Sequence, residues 1–188
     1  MSRKYKFMEP TGLHFTTSTT VGWIDFFSRQ IYREILIDSL KWCQENKGLH
    51  ICAYVIMTNH LHMVAYTDKI PLEEVLKSFK KFTAARILEA VNDPSESRSE
   101  WIKWLLKWFG SHVRQENQIW QHGNHPIALW SQKVTGQKVS YIHNNPLRAG
   151  WVGDPTHWRY SSAGAYAGLN RPELLEVEVI DAWGLGKS

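Results

Sequence analysis

Cysteine is almost absent: Cys43 and Cys52 are the only two in 188 residues. Both sit inside apolar stretches and read as reduced, buried thiols, which excludes a disulfide scaffold and a cysteine zinc site. No run approaches the ~18 consecutive apolar residues of a membrane span, and the charged start Met1-Ser2-Arg3-Lys4 leads into no apolar core. These absences predict a soluble cytoplasmic protein with no membrane partner. No linker divides the chain and no internal repeat is present, so one domain is expected over 1–188, with a core at about 12–152 and a tail at 153–188. Gly184-Leu185-Gly186-Lys187-Ser188 ends in the letters of a phosphate-binding loop, but position 181 is Asp and no helix can follow. No nucleotide cofactor is expected.

The charge balance is modest: net +4 and pI ≈ 9.0 agree with an anionic partner without singling one out. Periodicity predicts a strand at Leu13 to Thr19 and a helix from about Ser28 to Asn46. Paired strands follow at Leu49 to Met57 and Leu61 to Tyr66, with the turn at Thr58-Asn59. Pro71-Leu72-Glu73-Glu74 opens a helix to about Val91, and Asn92-Asp93-Pro94-Ser95 stops it. A strand around Gln118 to Trp130 and a last helix complete β-α-β-β-α-β. That is the α+β, ferredoxin-like order with an antiparallel sheet and an appended C-terminal helix, the second hairpin strand lying centrally.

That central strand carries His60-Leu61-His62. Alternate side chains of a strand share a face, so both imidazoles point one way, roughly 6.6 Å apart at about 3.3 Å per residue. Leu61 and Met63 point the other way. Imidazoles on a buried face need partners for their ring nitrogens. Ligation of one metal ion meets that need, and so do hydrogen bonds to core neighbours; the motif alone does not choose.

Tyr141 and Asn145 are four residues apart in Tyr141-Ile142-His143-Asn144-Asn145-Pro146, so on a helix they share a face. Pro146 disfavours helical geometry for its predecessor and places Asn145 in the last turn. Two imidazoles and an amide oxygen can hold Mg²⁺ or Mn²⁺ while leaving positions open for a phosphate and water. A phenol with its usual pKa near 10 reaches its nucleophilic form at neutral pH at a cost of about 4 kcal/mol, which a nearby cation lowers. The same cation polarises a phosphoryl oxygen, and covalent phosphoryl transfer to Tyr141 follows as the chemistry available.

At these residues the chain resembles a known family. Asn59-His60-Leu61-His62 looks like the His-hydrophobic-His signature of the HUH single-strand DNA nucleases. Tyr141 through Gly150 is similar to the tyrosine helix of the bacterial REP-associated tyrosine transposases. Ile119-Trp120-Gln121-His122-Gly123 resembles the strand before that helix, and Trp158-Arg159-Tyr160-Ser161-Ser162-Ala163 with Tyr166-Ala167-Gly168 resembles the C-terminal tail. The resemblance implies that His60, His62 and Asn145 are metal ligands and that Tyr141 becomes joined to a DNA 5′-phosphate. Insertion-sequence relatives carry glutamine four residues after the tyrosine; Asn145 points to the REP-associated branch, which implies a monomer. The implied partner is single-stranded DNA with hairpin-forming repeats, in the cytoplasm at the nucleoid.

The segment between about Asn92 and Gln118 is longer and richer in tryptophan than the resemblance implies, so its contacts do not carry over. Trp101, Trp104, Leu105, Trp108 and Phe109 recur at helical spacing as one apolar stripe, which is ordinarily core. The functional reading stacks some of these rings on bases, with Lys103, Lys107 and Arg114 on phosphates. Lys77, Lys80, Lys81 and Arg86 form a basic face on the preceding helix, and Arg148 closes the tyrosine helix. These are the candidate DNA contacts. Two other functions remain in view: a non-catalytic single-strand nucleic-acid-binding module whose histidines merely pack, and a metal hydrolase of small phosphoesters that uses Tyr141 as an anchor.

Overall fold

Alternation along one hairpin sorts the molecule into layers. In the computed structural model, which describes residues 9–113 and 118–180, β2 (Leu49–Ile56) and β3 (His60–Thr67) pair antiparallel. Leu61, Met63 and Ala65 of β3 enter a core shared with Leu49, Ile51, Tyr54 and Ile56, while Val64 joins a second core on the opposite face. A bulge between Ile51 and Ala53 re-phases β2, so that Cys52 and Ala53 both serve that second core.

β1 (His14–Thr19) lies against the other side of β3, and β4 (Ile127–Ala128) against β1, giving the order β2-β3-β1-β4 with every neighbour antiparallel. The histidine strand is central, as the sequence predicts. α1 (Gln30–Lys47) and α2 (Leu72–Val91) cover the first core. Their buried positions, Tyr32, Leu36, Leu40 and Cys43 on α1 and Val75, Leu76, Phe79, Thr83 and Ile87 on α2, recur at helical spacing. Gly48, at φ 64, ends α1 in the left-handed region that a side chain resists, and its N–H reaches Cys43 O. α4 (Gln132–Arg148) packs on the other face through Val139 and Ile142.

Two expectations change. The strand expected over Gln118 to Trp130 is reduced to two residues at Ile127–Ala128 and one bridge between Thr20 and Trp120. Gly123 (φ 81) and His125 (φ 42) turn the backbone out of extended geometry, and Pro126 lacks an N–H for the ladder. On α3 (Ser99–Val113) the core face is Ile102 and Leu106, with Leu105 and Phe109 half-buried beside them. Trp101, Trp104 and Trp108 form an exposed row, because the stripe they make is offset around the helix from the stripe that packs. The P-loop-like end and Arg114 lie outside the described residues.

The tail runs along the outer edge of β2: Ile56 N–H donates to Tyr160 O (2.9 Å) and Ser162 N–H to Tyr54 O (3.0 Å). A short helix α5 (Ala163–Tyr166) follows. Cys43 and Cys52 are buried and unbridged, and burial pushes their thiols up to about 11 and about 12. No helix among the described residues is long and apolar enough to cross a membrane.

Candidate active site

β3 delivers His60 and His62 to the face that α4 covers. Their ring centroids are 4.6 Å apart, closer than the strand repeat because the rings lean together edge to face. Across the ladder Thr17 opposes His62, and its Oγ1 lies 2.8 Å from His62 Nδ1. Phe15 stacks on the same imidazole at 5.3 Å between centroids. His60 Nδ1 donates to Asn59 Oδ1 at 2.7 Å, while Asn59 Nδ2 donates to Trp23 O at 3.3 Å. An amide oxygen only accepts, so this contact puts the proton of His60 on Nδ1 and leaves the lone pair on Nε2.

α4 supplies the other half. Ser131 caps its start by accepting from Val134 N–H, and Thr135, Val139, Ile142 and Pro146 bury one face. That places Tyr141 and Asn145 one turn apart over the histidines, with Asn145 in the last turn as expected. Tyr141 Oη lies 3.5 Å from His62 Nε2, and the side-chain amide of Asn145 stands close enough to His60 to oppose the lowering of its pKa. The four residues named from the sequence therefore converge, all from one chain.

Burial is the main force on both imidazoles. It pushes His62 down to about 3, with the charge of His60 and Lys138 adding to the effect, and it lowers His60 against the opposing effect of the Asn145 amide. Both are neutral near pH 7, the state in which imidazole is a ligand. Among the described residues no three His, Cys, Asp or Glu side chains cluster as a metal site. Two imidazole nitrogens and one amide oxygen nonetheless fit a divalent ion of mixed N/O preference, with positions left for substrate oxygens.

The sequence reading missed Lys138. One turn before Tyr141, its Nζ lies 4.6 Å from the Phe15 ring centroid and 5.9 Å from that of Tyr141. Arg148 stands 5.9 Å from the Tyr141 ring. Two cations thus flank the phenol, and the spacing from Lys138 to Tyr141 is a signal the sequence offered. Tyr141 and Arg148 also line a cleft of about 580 Å³ along α4 with Gln132, Lys133, Gln137, Ser140 and Asn144. His143 turns away from the site: its Nε2 lies 2.9 Å from Ser162 Oγ, and burial pushes it down to about 4.

The candidate DNA contacts divide. Lys77 and Lys81 are exposed on α2, in the layer on the far side of the sheet from α4. Lys80 is not presented outward: its Nζ donates to Gly123 O (2.6 Å) and Gln121 O (3.3 Å), and burial pushes it down to about 8. Arg86 pairs with Glu89 and Lys103 with Glu100, each on its own helix, while Lys107 is exposed.

No family model and no curated protein matches the sequence. Among solved structures, the chain is similar to a REP-associated tyrosine transposase bound to a REP hairpin, with a TM-score of 0.59 and 20% identity over 96% of this chain and 94% of that one. That likeness concerns the fold. A candidate transposase from Deinococcus radiodurans R1 aligns with a TM-score of 0.44 and 17% identity, over 77% of this chain and 95% of that one.

Proposed function

We propose that this protein is a metal-dependent single-strand DNA endonuclease and strand transferase that cuts beside hairpin-forming repeats through a covalent 5′-phosphotyrosine. The observation that carries the reading is Tyr141 Oη at 3.5 Å from His62 Nε2, above the His60–Asn145 pair. The shared fold supports a hairpin substrate, since that solved neighbour is described as bound to a REP hairpin.

His60, His62 and Asn145 would hold Mg²⁺ or Mn²⁺, which when bound supplies charge to polarise a phosphoryl oxygen. Tyr141 Oη attacks phosphorus, its proton passing to water; the Tyr–O–P bond forms as the P–O3′ bond breaks, and the departing 3′ oxygen takes up a proton. Lys138 and Arg148 hold positive charge beside the ring where negative charge develops. The reverse attack by a 3′-hydroxyl rejoins strands with no nucleotide, since the phosphotyrosine link keeps the energy of the cleaved bond. The cleft along α4 offers amide, hydroxyl and cationic groups to a single strand approaching Tyr141. The acting unit in this reading is a monomer working in the cytoplasm at the nucleoid, and the meeting of β3 and α4 within one chain supports a site that needs no second copy.

The test is incubation with single-stranded hairpins and Mn²⁺, followed by denaturing electrophoresis. A DNA-linked protein band that is lost in Tyr141→Phe, with hairpin binding retained, is the expected result. Binding with no adduct under any divalent ion would leave a non-catalytic binding module in its place, and turnover of nitrophenyl phosphates without an adduct would leave a small-phosphoester hydrolase.

A further inference from the structure

Trp23 stands at the mouth of this site on a backbone that resists it. It has φ 57, in the left-handed region that bulky side chains avoid, and the preceding Gly22 has the same φ. Its indole is nevertheless 61% exposed, so little burial offsets the strain. Three anchors fix the loop. Trp23 N–H donates to Thr20 O at 3.2 Å, Asn59 Nδ2 donates to Trp23 O at 3.3 Å, and Gly22 lies so close to the Phe109 ring of α3 that a Cβ there would collide with it. The ring meets His60 edge to face, 6.1 Å between centroids, and continues a file of rings through His60 and His62 to Tyr141.

A strained, rigidly anchored and exposed indole has no account in packing, since the core ends beneath it. Its open area suits a flat, apolar partner with a π face. Resting on the single-strand reading above, we infer that Trp23 is a stacking platform for one unpaired base beside the scissile phosphate. The base lies on the indole while the phosphate attached to it falls toward the file of His60, His62 and Tyr141. The asparagine that fixes the proton of His60 is the one that holds Trp23 O, so base seating and imidazole orientation share a support. Stacking of this kind tolerates any base, which leaves sequence choice to other contacts.

The test uses the full chain carrying Tyr141→Phe and a pool of random-sequence single strands in which 5-iodouracil replaces thymine. Irradiation joins iodouracil to the aromatic ring it stacks on, and peptide mass spectrometry locates the link. The expected result is a cross-link at Trp23, with affinity about tenfold lower in Trp23→Gly and a higher thermal midpoint in that variant, because glycine accepts φ 57 without strain. Cross-links confined to Trp101, Trp104 or Trp108, or unchanged affinity in Trp23→Gly, would overturn the platform while leaving the single-strand reading intact. No binding of the pool or of hairpins by either protein would overturn both.

Discussion

Thr17 and His62 face each other across the β1–β3 ladder with 2.8 Å between Thr17 Oγ1 and His62 Nδ1. The hydroxyl can accept Nδ1–H, leaving the Nε2 lone pair turned toward Tyr141. Thr17→Val keeps the shape and removes the oxygen. Mn²⁺ affinity by calorimetry should fall about tenfold, and chemical denaturation should show ~1 kcal/mol lost. Unchanged Mn²⁺ affinity would mean that Thr17 only packs.

Lys138 should matter to chemistry more than to the fold. Lys138→Gln removes the charge beside Tyr141 while a chain of similar reach still covers Phe15. The rate of adduct formation should fall about tenfold, equivalent to ~1.4 kcal/mol of barrier, and Lys138→Arg should recover most of it. A loss of hairpin affinity with no change in the rate of bound substrate would instead make Lys138 a strand contact.

Asn145→Asp should raise Mn²⁺ affinity by adding a carboxylate to a ligand set that is otherwise neutral, and should slow cleavage by offsetting the pull on the phenol and phosphate. Calorimetry and adduct rates on one preparation check both directions. For the unsubstituted protein, ion and hairpin should bind cooperatively, because the substrate phosphate contributes the missing negative charge.

Acid should loosen the seat of α3. Burial pushes Glu96 up, but Tyr32 Oη (2.6 Å), the Arg98 N–H (2.8 Å) and the guanidinium groups of Arg29 and Arg98 outweigh it, so its folded pKa lies below the ordinary carboxylate range. A depressed folded pKa contributes stability that is complete above the unfolded pKa and lost as pH falls through the folded one. Thermal midpoints should therefore drop below about pH 4, less steeply in Glu96→Gln. At neutral pH that variant should be ~1–3 kcal/mol less stable, with hydrogen-bond partners left unmatched.

The site was more legible than its surroundings because its residues obey two short periods. His60 and His62 are two apart on a strand, and Tyr141 and Asn145 four apart on a helix, so each pair shares a face without tertiary knowledge. Ferredoxin-like order then brings the pairs together. α3 misled because two apolar stripes share its period: Ile102 and Leu106 pack, whereas the larger tryptophans do not. Lys80 looked like a solvated charge because nothing local shows that Gln121 and Gly123 carbonyls bend over it. Trp23 sits in a loop, where no periodicity marks a side chain and only a backbone angle reveals the strain.

Ser162 joins β2 to α4. Its Oγ accepts from Tyr54 N–H at 2.9 Å on β2 and lies 2.9 Å from His143 Nε2 on α4, two residues past the tyrosine. The tail thereby acts as a strut: it seals the open margin of the sheet against pairing with a second chain and braces the tyrosine helix from behind. On the proposed reading, the aim of Tyr141 is then inherited from a stretch of chain outside the site, so damage there should cut adduct formation while the neighbourhood of Tyr141 stays intact.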